Sequence, residues 1–249
     1  MRTAILTDIH ANREALEACL AYAARAGADR YAFLGDLVGY GADPGWVLSA
    51  VMRHVARGAI AVLGNHDAAV LHGPTKTMNP AAQRVAAWTR GQLTQTQLDF
   101  LAALPLTRED GDTLYVHANA WAPAAWGYVE GTMEAKRSLL ATRCRYTFCG
   151  HVHEPALYHL AEGERVVHFE PAPGVAIPLG ARRRWLAIPG SAGQPRDGVP
   201  AACYAMFDDA QHTLTYYRVP YDFEAAAAKI RAAGLPETFV VLLDNGRRP

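Results

Sequence analysis

The chain has little that would send it to a membrane, a nucleic acid or an oxidising compartment. Its 249 residues contain no apolar run approaching the roughly 20 residues that a membrane-spanning helix needs. The opening "MRTAILTD" lacks both the apolar stretch and the small-residue cleavage site of a secretory signal, so a cytoplasmic location is expected. Charge of one sign is not in excess. Lys+Arg and Asp+Glu both number 24, which leaves no global field to draw in DNA or an anionic surface. The one tight basic run, "ARRRW" at 181–185, reads as a solvated strand or loop edge. Cysteine is scarce: Cys19, Cys144, Cys149 and Cys203 make no C-x-x-C pair, which favours reduced core thiols over disulfides or a zinc knuckle. Any metal must then be held by nitrogen and oxygen. Repeats, low-complexity segments and linkers rich in Gly, Ser or Pro are also missing, so residues 1–249 are expected to form a single domain.

What is present is a strand and helix rhythm. A short apolar strand, Ala4 to Leu6, leads to Asn12, a helix N-cap, after which Leu16, Cys19, Leu20 and Ala23 recur at helical spacing until Gly27. "RYAFLGD" reads as a strand ending at Asp36. Asp43-Pro44 opens a helix with Val47, Leu48, Val51, Met52 and Val55 on one face, and "AIAVLGNHD" reads as a third strand ending at Asn65 and His66. Such alternation predicts a parallel sheet covered on both faces. Helices are expected from Asn79-Pro80 and from the capping box Thr94-x-x-Gln97 to about Leu104. Beyond that the chain turns strand-rich. "LTREDGDTLYVHA" predicts two strands around Asp110-Gly111, "RYTFCGH" a buried strand, and "ALYHLAEGERVVHFE" a hairpin turning at Glu162-Gly163. "RWLAIPG", "AACYAMFD" and "HTLTYYRVP" continue the pattern, and a last helix is expected from Asp222 to Ala233, stopped by Gly234. An α/β chain with two sheets packed face to face is the economical reading.

The polar residues at the ends of these strands carry the chemistry. They are Asp8 and His10 in "DIH", Gly35 and Asp36 in "GD", Gly64 to Asp67 in "GNHD", His117 in "VH", and Gly150 to His153 in "GHVH". Strand ends are where open α/β sheets build sites. Asp8 and His10, two residues apart in extended chain, would point the same way and could share one cation. Gly35, Gly64 and Gly150 each precede a candidate ligand, where a residue lacking Cβ permits a sharp turn and close approach.

In that order, from residue 3 to about 153, these motifs resemble the calcineurin-like metallophosphoesterase superfamily. "IPGSAGQPRDG", 188–198, extends the likeness toward the bacterial and archaeal single-domain branch that includes the YfcE-like phosphodiesterases and certain diadenosine tetraphosphatases. The resemblance implies a four-layer α/β/β/α sandwich of two mixed β-sheets with flanking helices (α/β, or α+β in some schemes). It implies two divalent metal ions, one held by Asp8, His10, Asp36 and His153 and the other by Asp36, Asn65, His117 and His151, with Asp36 as the bridge. A bridging hydroxide would attack phosphorus in line, and His66 would protonate or stabilise the departing alkoxide. The donor set suits Mn²⁺ first, with Fe, Zn²⁺ or Ni²⁺ next, better than Mg²⁺.

One stretch departs from the metal-dependent Ser/Thr protein phosphatases of the same superfamily. They read G-D-x-V-D-R-G, whereas "GDLVGYG" puts Gly39 and Tyr40 where an Asp that orients the histidine and an Arg that grips phosphate would stand. Tyr40 and Arg196 are therefore the candidate substrate contacts, and Asp67 is a candidate for orienting His66 by adjacency alone. Trp121, Trp126 and Tyr128, in the loop after His117, could wall a nucleobase pocket. The expected substrate is a small phosphoester, phosphodiester or (di)nucleotide polyphosphate. A Ser/Thr protein phosphatase, a nuclease and a non-catalytic scaffold are the competing readings; the balanced charge speaks against the nuclease and the full donor set against the scaffold.

Overall fold

In the computed structural model, residues 1–75, 78, 80–161 and 165–246 are described. The opening run is β1 (Arg2–Leu6), α1 (Arg13–Arg25), β2 (Arg30–Phe33), α2 (Pro44–Val55) and β3 (Ile60–Ala61), followed by α3 (Asn65–His72), α4 (Pro80–Gly91) and α5 (Gln95–Ala103). Then come β4 (Thr107–Asp110), β5 (Thr113–Val116), α6 (Thr132–Leu140), β6 (Tyr146–Phe148), β7 (Ala156–Leu160), β8 (Val166–Phe169), β9 (Ala176–Pro178) and β10 (Arg184–Ile188). The chain closes with β11 (Ala202–Asp208), β12 (Thr213–Val219), α7 (Phe223–Ala232) and α8 (Glu237–Asn245).

Local chemistry accounts for the helix starts. The Asn12 side chain accepts from Ala15 N at 3.1 Å, Thr94 and Gln97 cap α5 reciprocally, and Pro44 opens α2 with its φ already suited to a helix. Two six-stranded mixed sheets result, one in the order β3-β2-β1-β11-β12-β9 and the other β4-β5-β6-β10-β7-β8. In the first, β1, β2 and β3 run parallel, with Ile5 opposite Ala32 and Ala32 opposite Ile60. In the second, β5 and β6 are parallel, with Leu114 opposite Thr147.

The period of two along each strand assigns residues to layers. Ala4, Leu6 and Phe33 pack outward under α1, α2 and α5, while Ile5, Ala32 and Leu34 face inward. There they meet Tyr115, Phe148 and Trp185 of the second sheet, and α6 covers that sheet's outer face through Ala135 and Leu139. Fully buried Phe33 and Phe148 each contribute about 1.5–3 kcal/mol of transfer free energy, so both interfaces are substantial. The result is the four-layer α/β/β/α arrangement. All four cysteines are buried free thiols, and among the described residues no helix is long and apolar enough to cross a membrane.

Several boundaries differ from those expected. The third strand is only Ile60–Ala61, and Asn65 and His66 are the first residues of α3. The cause is Asp67, whose carboxylate accepts from Gly64 N at 3.0 Å and turns the chain into a helix. The loop after His117 contains α6, and the chain does not end at α7: α8 follows it. A continuous run, "FVVLL", hides the helical period of α8, because Val241 on its half-exposed side is as apolar as the buried Phe239, Val240, Leu242 and Leu243. Asn79 and the turn at Glu162-Gly163 lie outside the described residues, but β7 and β8 pair antiparallel with Leu160 opposite Val166.

Candidate active site

Five parallel strands from the two sheets, β1, β2, β3, β5 and β6, end beside one another, and Asp8, Asp36, Asn65, His117 and His151 follow them. The loops do not leave in extended conformation. Asp8, His10, Ala11, Asp36, Tyr40, His151 and His153 all have φ between +48° and +70°. Asp8 and His10 thus come together through a left-handed turn, not through strand alternation as the spacing suggested. A non-glycine residue in this region costs about 1–3 kcal/mol where its surroundings must hold it. Here they do: His10 N donates to Asp36 O at 2.9 Å, Ala11 N to Leu37 O at 2.9 Å, and Gly193 N to Asp8 O at 3.0 Å. Ser191 Oγ adds a bond to Asp8 O at 2.7 Å.

Two of the glycines are required by space. A Cβ on Gly150 would lie 1.9 Å from Thr7 Oγ1 and 2.5 Å from Asp8 Oδ2, and one on Gly64 would lie 2.1 Å from Asp36 N. Any side chain there would displace a carboxylate.

Around Asp8 the donors are spent and the acceptors converge. His10 Nδ1 donates to Val38 O at 3.2 Å and His153 Nδ1 to Gln194 O at 2.7 Å, so each ring's Nε2 is a lone pair. These two Nε2 atoms lie 3.2 Å apart. Asp8 Oδ2 accepts from Thr7 Oγ1 at 2.8 Å and His151 N at 2.9 Å, whereas Oδ1 is buried without a hydrogen-bond partner, 3.3 Å from His153 Nε2. The second cluster gathers its nitrogens and oxygens as closely. His117 Nδ1 donates to Leu34 O at 2.7 Å, and its Nε2 faces Asn65 Oδ1 at 3.0 Å, His151 Nδ1 at 3.2 Å and Asp36 Oδ2 at 3.4 Å. Asp36 stands between the clusters, with Oδ2 also 3.7 Å from His10 Nε2 and Oδ1 accepting from His66 N at 2.8 Å. The triads Asp8–His10–His153 and Asp36–His117–His151 each place three ligand atoms within 4.8 Å of one another.

The electrostatics call for positive charge. Burial raises the Asp8 and Asp36 carboxyls, but neighbouring imidazoles outweigh it, His153 for Asp8 and His117 for Asp36, and both stay below the usual carboxylate range. Burial pulls His117 down, yet Asp36 outweighs it and pushes the ring up to about 9. Burial lowers His10, His153 and His151, the last to about 3, keeping them neutral as ligation requires. Buried lone pairs, an orphaned carboxylate oxygen and neutral imidazoles fit divalent cations.

The remaining predicted residues divide. His66 sits at the edge of the cage, its Nε2 4.0 Å from Asp36 Oδ2, and burial lowers it to about 4. Asp67 does not orient it: that carboxylate is spent on Gly64 N and Val38 N. Tyr40 does touch it, with ring centroids 4.4 Å apart, and Arg196 lies with its guanidinium 5.9 Å from the Tyr40 ring centre. Arg196 Nη2 donates to Gln194 Oε1 at 2.9 Å, and among the described residues the guanidinium has no acidic partner. On the other side, Tyr128 stacks on His151 at 4.0 Å and 13°, and Trp126 meets His117 edge-on at 5.9 Å. Trp121 is not with them; it packs behind the second sheet under Arg137. Val38, Ser191 and Gln194, which set the imidazole tautomers and the Asp8 loop, carry no signal of that role in the chain.

A model of the calcineurin-like phosphoesterase superfamily domain matches residues 1–211. The chain belongs to that superfamily. This calcineurin-like phosphoesterase is similar to a metallophosphoesterase from Sphaerobacter thermophilus, at 36% identity, TM-score 0.87 and 99% coverage of both chains. It is also 32% identical to an uncharacterized protein of Methanocaldococcus jannaschii, over 98% of each chain. A putative diadenosine tetraphosphatase shares the fold at 18% identity and TM-score 0.51, over 88% of this chain and 94% of that one.

Proposed function

We propose that this calcineurin-like phosphoesterase hydrolyses small phosphoesters, phosphodiesters or nucleotide polyphosphates with two divalent cations at the strand ends. One observation carries the reading: His10 Nε2 and His153 Nε2, two lone pairs 3.2 Å apart, beside the unpartnered Asp8 Oδ1. Acceptors do not crowd together in a buried space without a cation to share. Asp8, His10, Asp36 and His153 would hold one ion, and Asp36, Asn65, His117 and His151 the other. When bound, such ions polarise a phosphoryl group and lower the pKa of water.

The chain's own residues do the rest. His66, uncharged at neutral pH, presents an N–H to the departing oxygen, with its backbone fixed on Asp36. Arg196 offers a guanidinium to phosphate oxygens from the loop after β10, in place of the arginine that "GDLVGYG" lacks. Trp126 and Tyr128 flank the His117 and His151 side, with Tyr128 40% exposed, and suit a nucleotide. Donor chemistry makes Mn²⁺ the first metal to try. The intact protein should be stripped with a chelator and titrated with Mn²⁺ under mass-spectrometric metal analysis, then assayed on bis(p-nitrophenyl) phosphate and a panel of nucleotides. Two ions per chain and chelator-sensitive hydrolysis are expected; turnover indifferent to chelation would end the reading.

A further inference from the structure

The last two helices lie beyond the span that matches the superfamily domain, 1–211, yet they reach the site. Ala226, Ile230, Phe239, Val240 and Leu243 form a buried cluster with Val85 of α4, and Tyr40 and Ala42 pack against it. Phe239 of α8 lies 4.7 Å from the Tyr40 ring at 51°. Tyr40 in turn lies 4.4 Å from both His10 and His66. A continuous train of rings therefore runs from the C-terminal helix to the edge of the cage.

His66 needs such a support. The bond from its backbone N to Asp36 fixes the main chain but not the ring torsion, and among the described residues no hydrogen bond reaches the imidazole. Asp67 is spent elsewhere, and residue 39 is glycine because a Cβ there would lie 2.7 Å from His66 Nδ1. The ring is instead set by packing: Tyr40 tilted at 56° on one side and His10 edge-on at 85° on another. The helix pair is itself anchored. Lys229 of α7 pairs with Glu14 at 2.5 Å and Asp43 at 2.7 Å, tying it to the starts of α1 and α2. At the far end, Gly198 N donates to Gly246 O at 2.6 Å, which ties α8 to the loop that carries Arg196.

We infer that α7 and α8 are a positioning device, in which Phe239 seats Tyr40 and Tyr40 sets the angle of the His66 imidazole. Phe239 and Tyr40 are positioning residues, acting through His66. The kinetic consequence rests on the hydrolase reading above; the structural one does not.

The test uses the full-length protein with Phe239→Ala, Phe239→Leu and, as a packing control in the same cluster but off the cavity beside Tyr40, Val240→Ala. The His66 ring resonances, assigned by their absence in His66→Gln, are followed by proton–carbon NMR, alongside kcat and KM for an alkyl phosphoester and its p-nitrophenyl counterpart. Phe239→Ala should shift the His66 resonances and lower kcat on the alkyl ester about tenfold, with KM and metal content unchanged. Phe239→Leu should recover most of that loss, and Val240→Ala should show neither effect. Unshifted His66 resonances in Phe239→Ala, or the same losses in Val240→Ala, overturn the inference. If Phe239→Ala does not fold, a Phe239→Leu protein with wild-type resonances and kcat overturns it, and intermediate values support it. A wild-type protein inactive on every phosphoester would remove the hydrolase reading and leave the NMR comparison to decide the inference.

Discussion

The two sides of the cage are built alike and walled differently. On each, two imidazole nitrogens lie 3.2 Å apart beside a buried carboxylate, and His10, His153 and His117 each give Nδ1 to a backbone carbonyl. His151 is the exception, turning Nδ1 toward His117. Beyond these donors the likeness stops. The His10 side is closed by Tyr40, Arg196 and, behind them, Phe239; the His117 side has the half-buried Trp126 and the exposed Tyr128. On the proposed reading, the shared donors would set the reaction type, and the unlike walls position on one side and selectivity on the other.

The strongest way to break the comparison is to remove what the two sides share. Asp36→Asn should take hydrolysis below detection and metal content below one ion per chain, because the buried imidazoles lose their common counter-charge. Two ions retained would show that each side binds alone. Next, His66→Ala should keep both ions and lower kcat on alkyl esters by about 10²–10³-fold, with a smaller loss on p-nitrophenyl esters, whose stable phenolate depends less on the His66 N–H. Equal rates on both ester classes would remove His66 from the leaving-group role.

Smaller effects should separate the walls. Arg196→Ala should raise KM about tenfold for every phosphate substrate, as expected for a lost charge-assisted contact. Unchanged KM would assign Arg196 to the packing of Tyr40 alone. Tyr128→Ala should raise KM only a few-fold, and only for nucleotides, as one stacking face is worth about 1 kcal/mol. A uniform change across aryl, alkyl and nucleotide substrates would make the ring a mere prop for His151.

Much of the cage was legible in the chain because its donors are chemically distinctive and each follows an apolar strand. The same logic failed where a role depends on packing. Asp67, beside His66 in sequence, turned out to cap the chain, while Phe239, 173 positions away, stands behind Tyr40. Trp121 and Tyr128 share one loop, yet their rings lie in different environments, one under Arg137 and one on His151. Helix α8 was missed because Val241, on its half-exposed side, is as apolar as its buried neighbours, and a contiguous apolar run carries no period.

By itself the sequence determined which atoms could ligate, the strand ends that present them, and the absence of sulfur from the donor set; residue chemistry and hydrophobic pattern are local properties. Only the tertiary structure decided that Asp8 and His10 meet through left-handed backbone, which imidazole nitrogen each ring offers, and what packs behind His66. Those depend on which carbonyls and rings distant segments bring within about 3–5 Å, and hydrogen bonds and ring packing act only at that range.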